Sequence, residues 1–205
     1  MYSEKDYIDE IIPHRLAMIE IMLFALTEMR QTIEPKKMVV YIDDKPCFEG
    51  LETAFTNPAI EAGIINCRAM LEFLGLKLSR TNQTELVTRS RSNNDDLHIE
   101  DFRKDGVALE KVTPDKVRRL SLRNTDKEKG VRALARLLHI SNKEIAHPTC
   151  GRSNEDDGTD VDLMILGAKG IRALTNSYFY KQLGLNPPPT LIQFRPETVL
   201  YQPKI

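Results

Sequence analysis

The chain contains no tryptophan, and phenylalanine and tyrosine bring the aromatic share to only 6% of its 205 residues. The core is therefore expected to be mainly aliphatic. An excess of charge of one sign is also missing, because 29 Lys and Arg stand against 30 Asp and Glu. This balance excludes a wholly basic nucleic-acid-binding protein, although it allows a local basic face.

Cysteines and long apolar runs are scarce as well. The three cysteines, Cys47, Cys67 and Cys150, are odd in number and widely spaced, which excludes a disulfide framework and indicates free thiols in a reducing compartment. The most apolar stretch, 16–26, is interrupted by Glu20 and is shorter than the roughly 20 residues of a membrane span. The charged N-terminus does not resemble a secretory signal. We therefore expect a cytoplasmic protein without membrane contact.

The overall composition, with 41% hydrophobic and 29% charged residues, is typical of a globular protein. The length fits a single helical domain over 1–205. Apolar residues that recur at steps of three and four predict helices. Their approximate ranges are 14–33, 57–75, 114–123, 131–147 and 160–183. A shorter helix before Pro13 would be the sixth. The predicted fold is an all-α bundle of five or six helices.

Helix-end signals support these boundaries. Pro58 suits the first turn of a helix after a Thr56 or Asn57 cap, Thr113-Pro114 repeats the pattern, and Gly75 and Gly184 suit helix ends. The inward positions of the helices give the expected core. It comprises Leu16, Ile19, Leu23, Leu26, Ile60, Ile64, Cys67, Leu71, Leu74, Leu134, Leu138, Ile145, Leu163 and Leu166.

Three segments lack helical periodicity. The polar stretch 79–106 predicts a long loop, which in a compact domain is often functional. Residues 38–42 fit either a short strand or an apolar loop anchor, and no second strand pairs with them convincingly, so a large sheet is not expected. The proline-rich tail 186–205 is predicted to be extended and, because it keeps apolar residues, to pack against something. Together with the Met-rich first helix, this tail favours a homodimer.

Most chemistry-bearing polar residues stand near the end of the fourth predicted helix. His139, Lys143, His147 and Cys150 share one side of that helix if it continues. One interpretation is an acid–base site with His147 as the proton-transfer group and Lys143 as the anion-stabilising group. The alternative is that His147 only satisfies carbonyl groups at the helix end. A zinc site lacks a fourth ligand, so neither a metal nor a cofactor is expected.

A basic patch lies just before this segment. Residues 102–132 contain ten basic and five acidic side chains, and Arg118, Arg119 and Arg123 are its candidate RNA-binding residues. The alternative is a solvated helix face with charge pairs. The usual enzyme signatures, such as a glycine-rich phosphate loop, HExxH or GxSxG, do not occur.

The sequence Asn142-Lys-Glu-Ile-Ala-His147 resembles the end of the third helix of HEPN-type all-α domains, and the helix around 66–74 is similar to their arrangement. The resemblance covers about 57–147. Many members are RNA-cleaving dimers whose signature is an Arg, usually followed by a polar residue, and then a His after four to six intervening residues. At His147 the Arg is replaced, with Asn142 in its region. The pairs Arg132–His139 and Arg91–His98 do match the bare spacing.

The resemblance implies two functions. The first is a non-catalytic, homodimeric helical interaction protein of HEPN-like fold, in which the dimer face or the tail binds a protein partner. The second is a metal-independent RNA-cleaving or RNA-binding protein of a defence or toxin system. In that case His147 is the general acid or base, Lys143 stabilises the charged phosphorane and Asn142 orients the phosphate. The missing Arg favours the first hypothesis, because a cleavage site needs a stable cation beside the phosphate.

Overall fold

The computed structural model describes residues 3–30, 34–90, 97–120, 127–142 and 157–191. Across these ranges the protein is mostly helical, as the periodicity predicted. The helices are α1 (Glu4–Asp6), α2 (Ile12–Arg30), α3 (Thr53–Leu74), α4 (Pro114–Arg119), α5 (Lys127–Ile140), α6 (Asp157–Thr175) and α7 (Lys181–Leu183). A π-helical turn, Tyr7–Ile11, joins α1 to α2, and a second one, Asn176–Tyr180, joins α6 to α7. None of the helices in these ranges is long and apolar enough to cross a membrane.

Three antiparallel two-stranded sheets correct the all-α prediction. The strands are β1 (Lys37–Ile42), β2 (Lys45–Leu51), β3 (Leu76–Leu78), β4 (Leu86–Thr88), β5 (Arg103–Lys104) and β6 (Val107–Ala108). Residues 38–42 belong to a strand, β1, and pair with β2, although no convincing partner strand was expected. The prediction of one long loop over 79–106 is also corrected, because this segment contains β4, a 3₁₀ turn at Ile99–Asp101 and β5, the first strand of the β5–β6 hairpin.

Several helix ends lie where the sequence placed them. Gly75 and Gly184 both adopt the left-handed conformation, with φ of 95° and 74°, and the Thr113 hydroxyl accepts a hydrogen bond from the Lys116 amide at 3.3 Å. The start of α3 is a correction, since this helix begins at Thr53 and Pro58 lies inside it. The helix predicted over 14–33 begins earlier than expected. Its N-terminal end, α2, continues back through the π turn Tyr7–Ile11 to α1, which begins at Glu4.

The core forms around α2, which packs against α3 and α6. Nine predicted core residues are buried, namely Leu16, Ile19, Leu26, Ile64, Cys67, Leu71, Leu74, Leu134 and Leu138. Leu23, Ile60, Leu163 and Leu166 are only half-buried, and Ile145 lies outside the described residues.

Four aromatic residues form a buried cluster that periodicity did not predict. Phe73, Phe102 and Phe179 meet edge to face, with ring centroids 4.9 to 5.8 Å apart, and Tyr180 stacks its edge against Phe179 at 5.1 Å. Phe102 follows the 3₁₀ turn and Phe179 lies in the second π turn. Edge-to-face contact adds to the burial of these rings, so the cluster joins the irregular 97–109 segment to the helical core.

Candidate functional site

The predicted site residues fall into two groups. Lys143, His147 and Arg123 lie outside the described residues, so their roles stay predictions. Asn142 is described and half-buried, in the turn that follows α5. α5 ends at Ile140, two residues before Asn142, so its exposed side carries the described residues that are nearest in sequence to the predicted site.

A cavity of about 240 Å³ lies on that side of α5. Arg132, Arg136 and His139 line it from the helix, at spacings of four and three that place them on one face. Arg132 is exposed, whereas Arg136 and His139 are half-buried. The structure therefore brings the Arg132–His139 pair, which matches the HEPN spacing, to a common cavity.

The other walls of the cavity come from α6 and from the turn between β3 and β4. Leu163 contributes an apolar wall, and Gln83 and Thr84 contribute a polar one. The turn is held by its own hydrogen bonds, in which Asn82 Oδ1 accepts from the Thr84 hydroxyl at 2.7 Å and from the Thr84 amide at 3.1 Å. This turn belongs to the segment predicted to be a functional loop.

Arg136 is fixed by a carboxylate of α6. Its Nε donates to Asp160 Oδ1 at 2.9 Å, and a second guanidinium nitrogen donates to Asp160 Oδ2. Such a two-point contact holds the planar guanidinium in one orientation. Arg136 is thus a structural wall, and Arg132 and His139 line the cavity from the same helix face.

The surface that lines the cavity is mostly apolar, and the arginine and histidine side chains are the groups on its walls that suit an anion. A guanidinium presents several N–H donors to phosphate oxygens, and an imidazole can transfer a proton. Within the described ranges no group of three His, Cys, Asp or Glu side chains is arranged to hold a metal ion. In the other pair with HEPN spacing, His98 is buried and Arg91 lies outside those ranges, so this pair stays a prediction.

Some arginines of the predicted basic patch form ion pairs with neighbouring acidic side chains. Arg118 donates to Glu128 at 2.8 Å and to Asp115 at 3.0 Å, and its hydrogen bond to Glu128 raises the pKa of the guanidinium. Arg119 is exposed at the end of α4. Charge pairing on this helix fits the alternative interpretation, a solvated face with ion pairs.

The β1–β2 hairpin forms a second candidate surface, with large apolar side chains in solvent. We define the hairpin surface by the six such residues that are between 40% and 63% exposed, namely Val39, Tyr41, Ile42, Phe48, Leu51 and Phe55 at the start of α3. The sheet has only these two strands in the part of the chain that the structure describes. A lone hairpin is at best marginally stable in water, and contiguous apolar exposure marks interaction surfaces.

A turn signal could have revealed this hairpin. Asp43 and Asp44 separate the two strands and both have positive φ, at 49° and 60°. Two consecutive residues in this conformation make the turn that joins closely paired strands, and Asp is among the residues that tolerate it. The pairing register shifts between Val40 and Tyr41, which face Phe48 and Pro46 of β2. This shift interrupts the alternation of apolar and polar residues that would otherwise have predicted β2 as a strand.

No protein-family model matches the chain, and no curated protein or solved structure matches it either.

Proposed function

We propose that this chain is a non-catalytic helical interaction protein of HEPN-like fold that acts as a homodimer through its hairpin surface. The exposure of Val39, Tyr41, Ile42, Phe48, Leu51 and Phe55 on one projecting element is the observation that carries the proposal. Leaving six large apolar groups in water forgoes the stabilisation their burial would bring, about 25 cal/mol per Å² of apolar surface. A partner that covers them recovers this free energy.

The rest of the molecule does not cover this surface within the described ranges. The hairpin contacts the helical body through the start of α3, where the Glu52 amide donates to Lys36 O at 2.9 Å. Met38, Val40 and Gly50 are half-buried on one face of the hairpin. Val39, Tyr41 and Leu51 are exposed on the opposite face, which they share with Lys37 and Glu49. A surface of this kind suits another protein chain better than a small solute.

The test is the molar mass in solution. We expect light scattering to give twice 23.4 kDa for the wild type and a shift toward the single-chain mass for Tyr41→Ser/Ile42→Ser. The matched control is Val107→Ser, which removes a 71% exposed apolar residue from the β5–β6 hairpin and should leave the dimer intact. A monomeric wild type at micromolar concentration contradicts the proposal.

The cavity on α5 favours one second candidate, a metal-independent RNA-binding or RNA-cleaving activity. Here Arg132 would contact the phosphate and His139 would transfer the proton, either in place of His147 or beside it. The support is the shared face of Arg132 and His139 and their access to one cavity. In this proposal His139 supplies acid–base chemistry and Arg132 supplies the stable cation that the sequence around His147 lacks.

RNA cleavage by the purified protein in the presence of a chelator tests the second candidate. We expect activity that His139→Ala and Arg132→Ala reduce at least about a hundredfold, as loss of an acid–base group does, with His147→Ala assayed in parallel. Arg119→Ala is the matched control, because it removes an exposed arginine from another helix. Activity that is equal in all variants, or absent from the wild type, removes the cavity from a catalytic role.

A further inference from the structure

We infer that the outer edge of β1 pairs with the β1 edge of a second copy, in antiparallel register about a two-fold axis at Val40, to form a four-stranded sheet. This inference rests on the proposed homodimer and specifies the part of its interface that β1 forms. It follows from which edge of the hairpin is open, from the side chains along that edge and from the charges at its two ends.

The open edge belongs to β1. The Glu52 amide donates to Lys36 O, and Met38 lies opposite Gly50. The backbone N–H and C=O groups of the even-numbered β1 residues therefore point toward β2. Alternation along a strand then turns the backbone groups of Val39 and Tyr41 outward. The described part of the chain places no third strand against them.

The other edge of the hairpin is unsuited to pairing. Strand β2 contains Pro46, which has no N–H to donate, and next to it Cys47 lies where the register shifts. Proline and irregular pairing are common devices that block a sheet edge. No such device interrupts β1, whose central residues, Met38–Ile42, are all apolar.

The sequence around β1 is self-complementary about Val40. An antiparallel pair centred there places Val40 opposite the partner's Val40, Val39 opposite the partner's Tyr41 and Met38 opposite the partner's Ile42. Directly opposed β-branched and aromatic side chains are the pairs that stabilise a sheet. The outward backbone groups of Val39 and Tyr41 are then the ones that meet in hydrogen-bonded pairs.

The charges complete the match. The same register brings Lys36 and Lys37 of each copy to the Asp43–Asp44 turn of the other, and all four side chains are exposed. A shifted register loses this match, and a parallel pair places like charges together. Opposite charges at both ends of an apolar strand therefore select an antiparallel second copy as the occupant of this edge.

Charge reversal and rescue test the pairing. We expect Lys36→Glu/Lys37→Glu to weaken the dimer by about tenfold or more, because each copy then opposes acids with acids. Asp43→Lys/Asp44→Lys should weaken it similarly. An equimolar mixture of the two variants should restore a heterodimer, which also shows that both are folded. The matched control is Lys127→Glu/Lys129→Glu, the same charge change on exposed residues of α5.

Cross-linking tests the register itself. In a Cys47→Ser/Cys150→Ser background, Val40→Cys should form a disulfide-linked dimer under mild oxidation, because the two sulfurs face each other across the axis. Ile42→Cys should not, because its counterpart lies about four residues, or ~13 Å, along the partner strand.

The outcomes separate this inference from the proposed function. A wild-type dimer that neither charge reversal weakens, or that Val40→Cys fails to cross-link, overturns the β1 pairing and leaves the homodimer standing. A monomeric wild type that dimerises only when truncated after Leu191 shows that residues 192–205 of the same chain cover the edge. That result overturns both the inference and the homodimer.

Discussion

Glu20 of α2 and Arg172 of α6 form a partly buried ion pair between residues 152 positions apart in the sequence. The second carboxylate oxygen of Glu20 accepts from the Leu191 amide at 2.7 Å, and Arg172 also donates to Pro188 O at 2.6 Å. Burial lowers the pKa of the guanidinium. The pair thus joins the central helix, α6 and the start of the C-terminal tail.

Breaking this pair should destabilise the protein strongly. Glu20→Ala leaves the half-buried Arg172 cation without its carboxylate partner, so we expect the free energy of unfolding to fall by about 1.5–3 kcal/mol, as for a lost hydrogen bond to a charged group. Chemical denaturation monitored by circular dichroism measures the loss. Asp9→Ala is the control, because the Lys5–Asp9 pair is exposed and such pairs contribute at most about 1 kcal/mol. Equal losses of unfolding free energy in the two variants would show that the Glu20–Arg172 pair stabilises the fold no more than an exposed pair does.

Two glycines should respond in opposite directions to the same substitution. A Cβ atom at Gly63 would lie 2.1 Å from Met22 Cβ, whereas one at Gly130 would meet nothing within 4 Å. Gly63→Ala therefore forces α2 and α3 apart and should cost at least about 1–3 kcal/mol. Gly130→Ala, in the helical backbone of α5, should stabilise by roughly 0.4–1 kcal/mol. Thermal melts of both variants check the signs; a neutral Gly63→Ala would refute the close helix contact.

The cysteines should differ in reactivity. Cys47 is exposed in β2 and Cys67 is fully buried in α3, and desolvation raises the pKa of the Cys67 thiol. Because the thiolate is the reactive form, a thiol reagent at neutral pH should label Cys47 quickly and Cys67 only after denaturation. Mass spectrometry of the digested protein distinguishes the two sites. Rapid labelling of Cys67 in the native protein is the contrary result.

Alkaline pH should weaken the fold through Tyr180. Burial raises the pKa of this phenol to about 12, from about 10 in an unfolded chain. Below pH 10 both states keep the proton and stability is unaffected. Between pH 10 and 12 only the unfolded state loses it, so stability falls as the pH rises, by on the order of 2 kcal/mol.

Tyr180→Phe separates this effect from the loss of a contact. The variant loses the hydrogen bond from the hydroxyl to Ile8 O, at 3.3 Å, and so starts about 1 kcal/mol less stable. Its stability should nevertheless decline less between pH 10 and 12 than that of the wild type. The control is Tyr41→Phe, at an exposed position, which should follow the wild-type profile. Parallel declines in wild type and Tyr180→Phe would exclude Tyr180 as the source.

The candidate surfaces were only partly predictable. The spacing of Arg132 and His139 is visible in the sequence, but the cavity they share also needs Leu163 of α6 and the turn at Gln83–Thr84. Exposure of the hairpin surface could not be predicted either, because Val, Tyr, Ile and Phe in a strand are as typical of a buried sheet. An exposed hairpin differs from a buried sheet only in that no other element of the described part of the chain covers these side chains.

Local physical rules determined the helices of this protein and most of their ends. The stripe from Ile64 to Leu74, the left-handed Gly75 and the Thr113 cap depend on residues within a few turns of each other, so the sequence alone specifies them. The aromatic cluster, the Glu20–Arg172 pair and the contact of Gly63 with Met22 join distant segments. Periodicity within one segment contains no information about such contacts, and they were decided when the helices packed together.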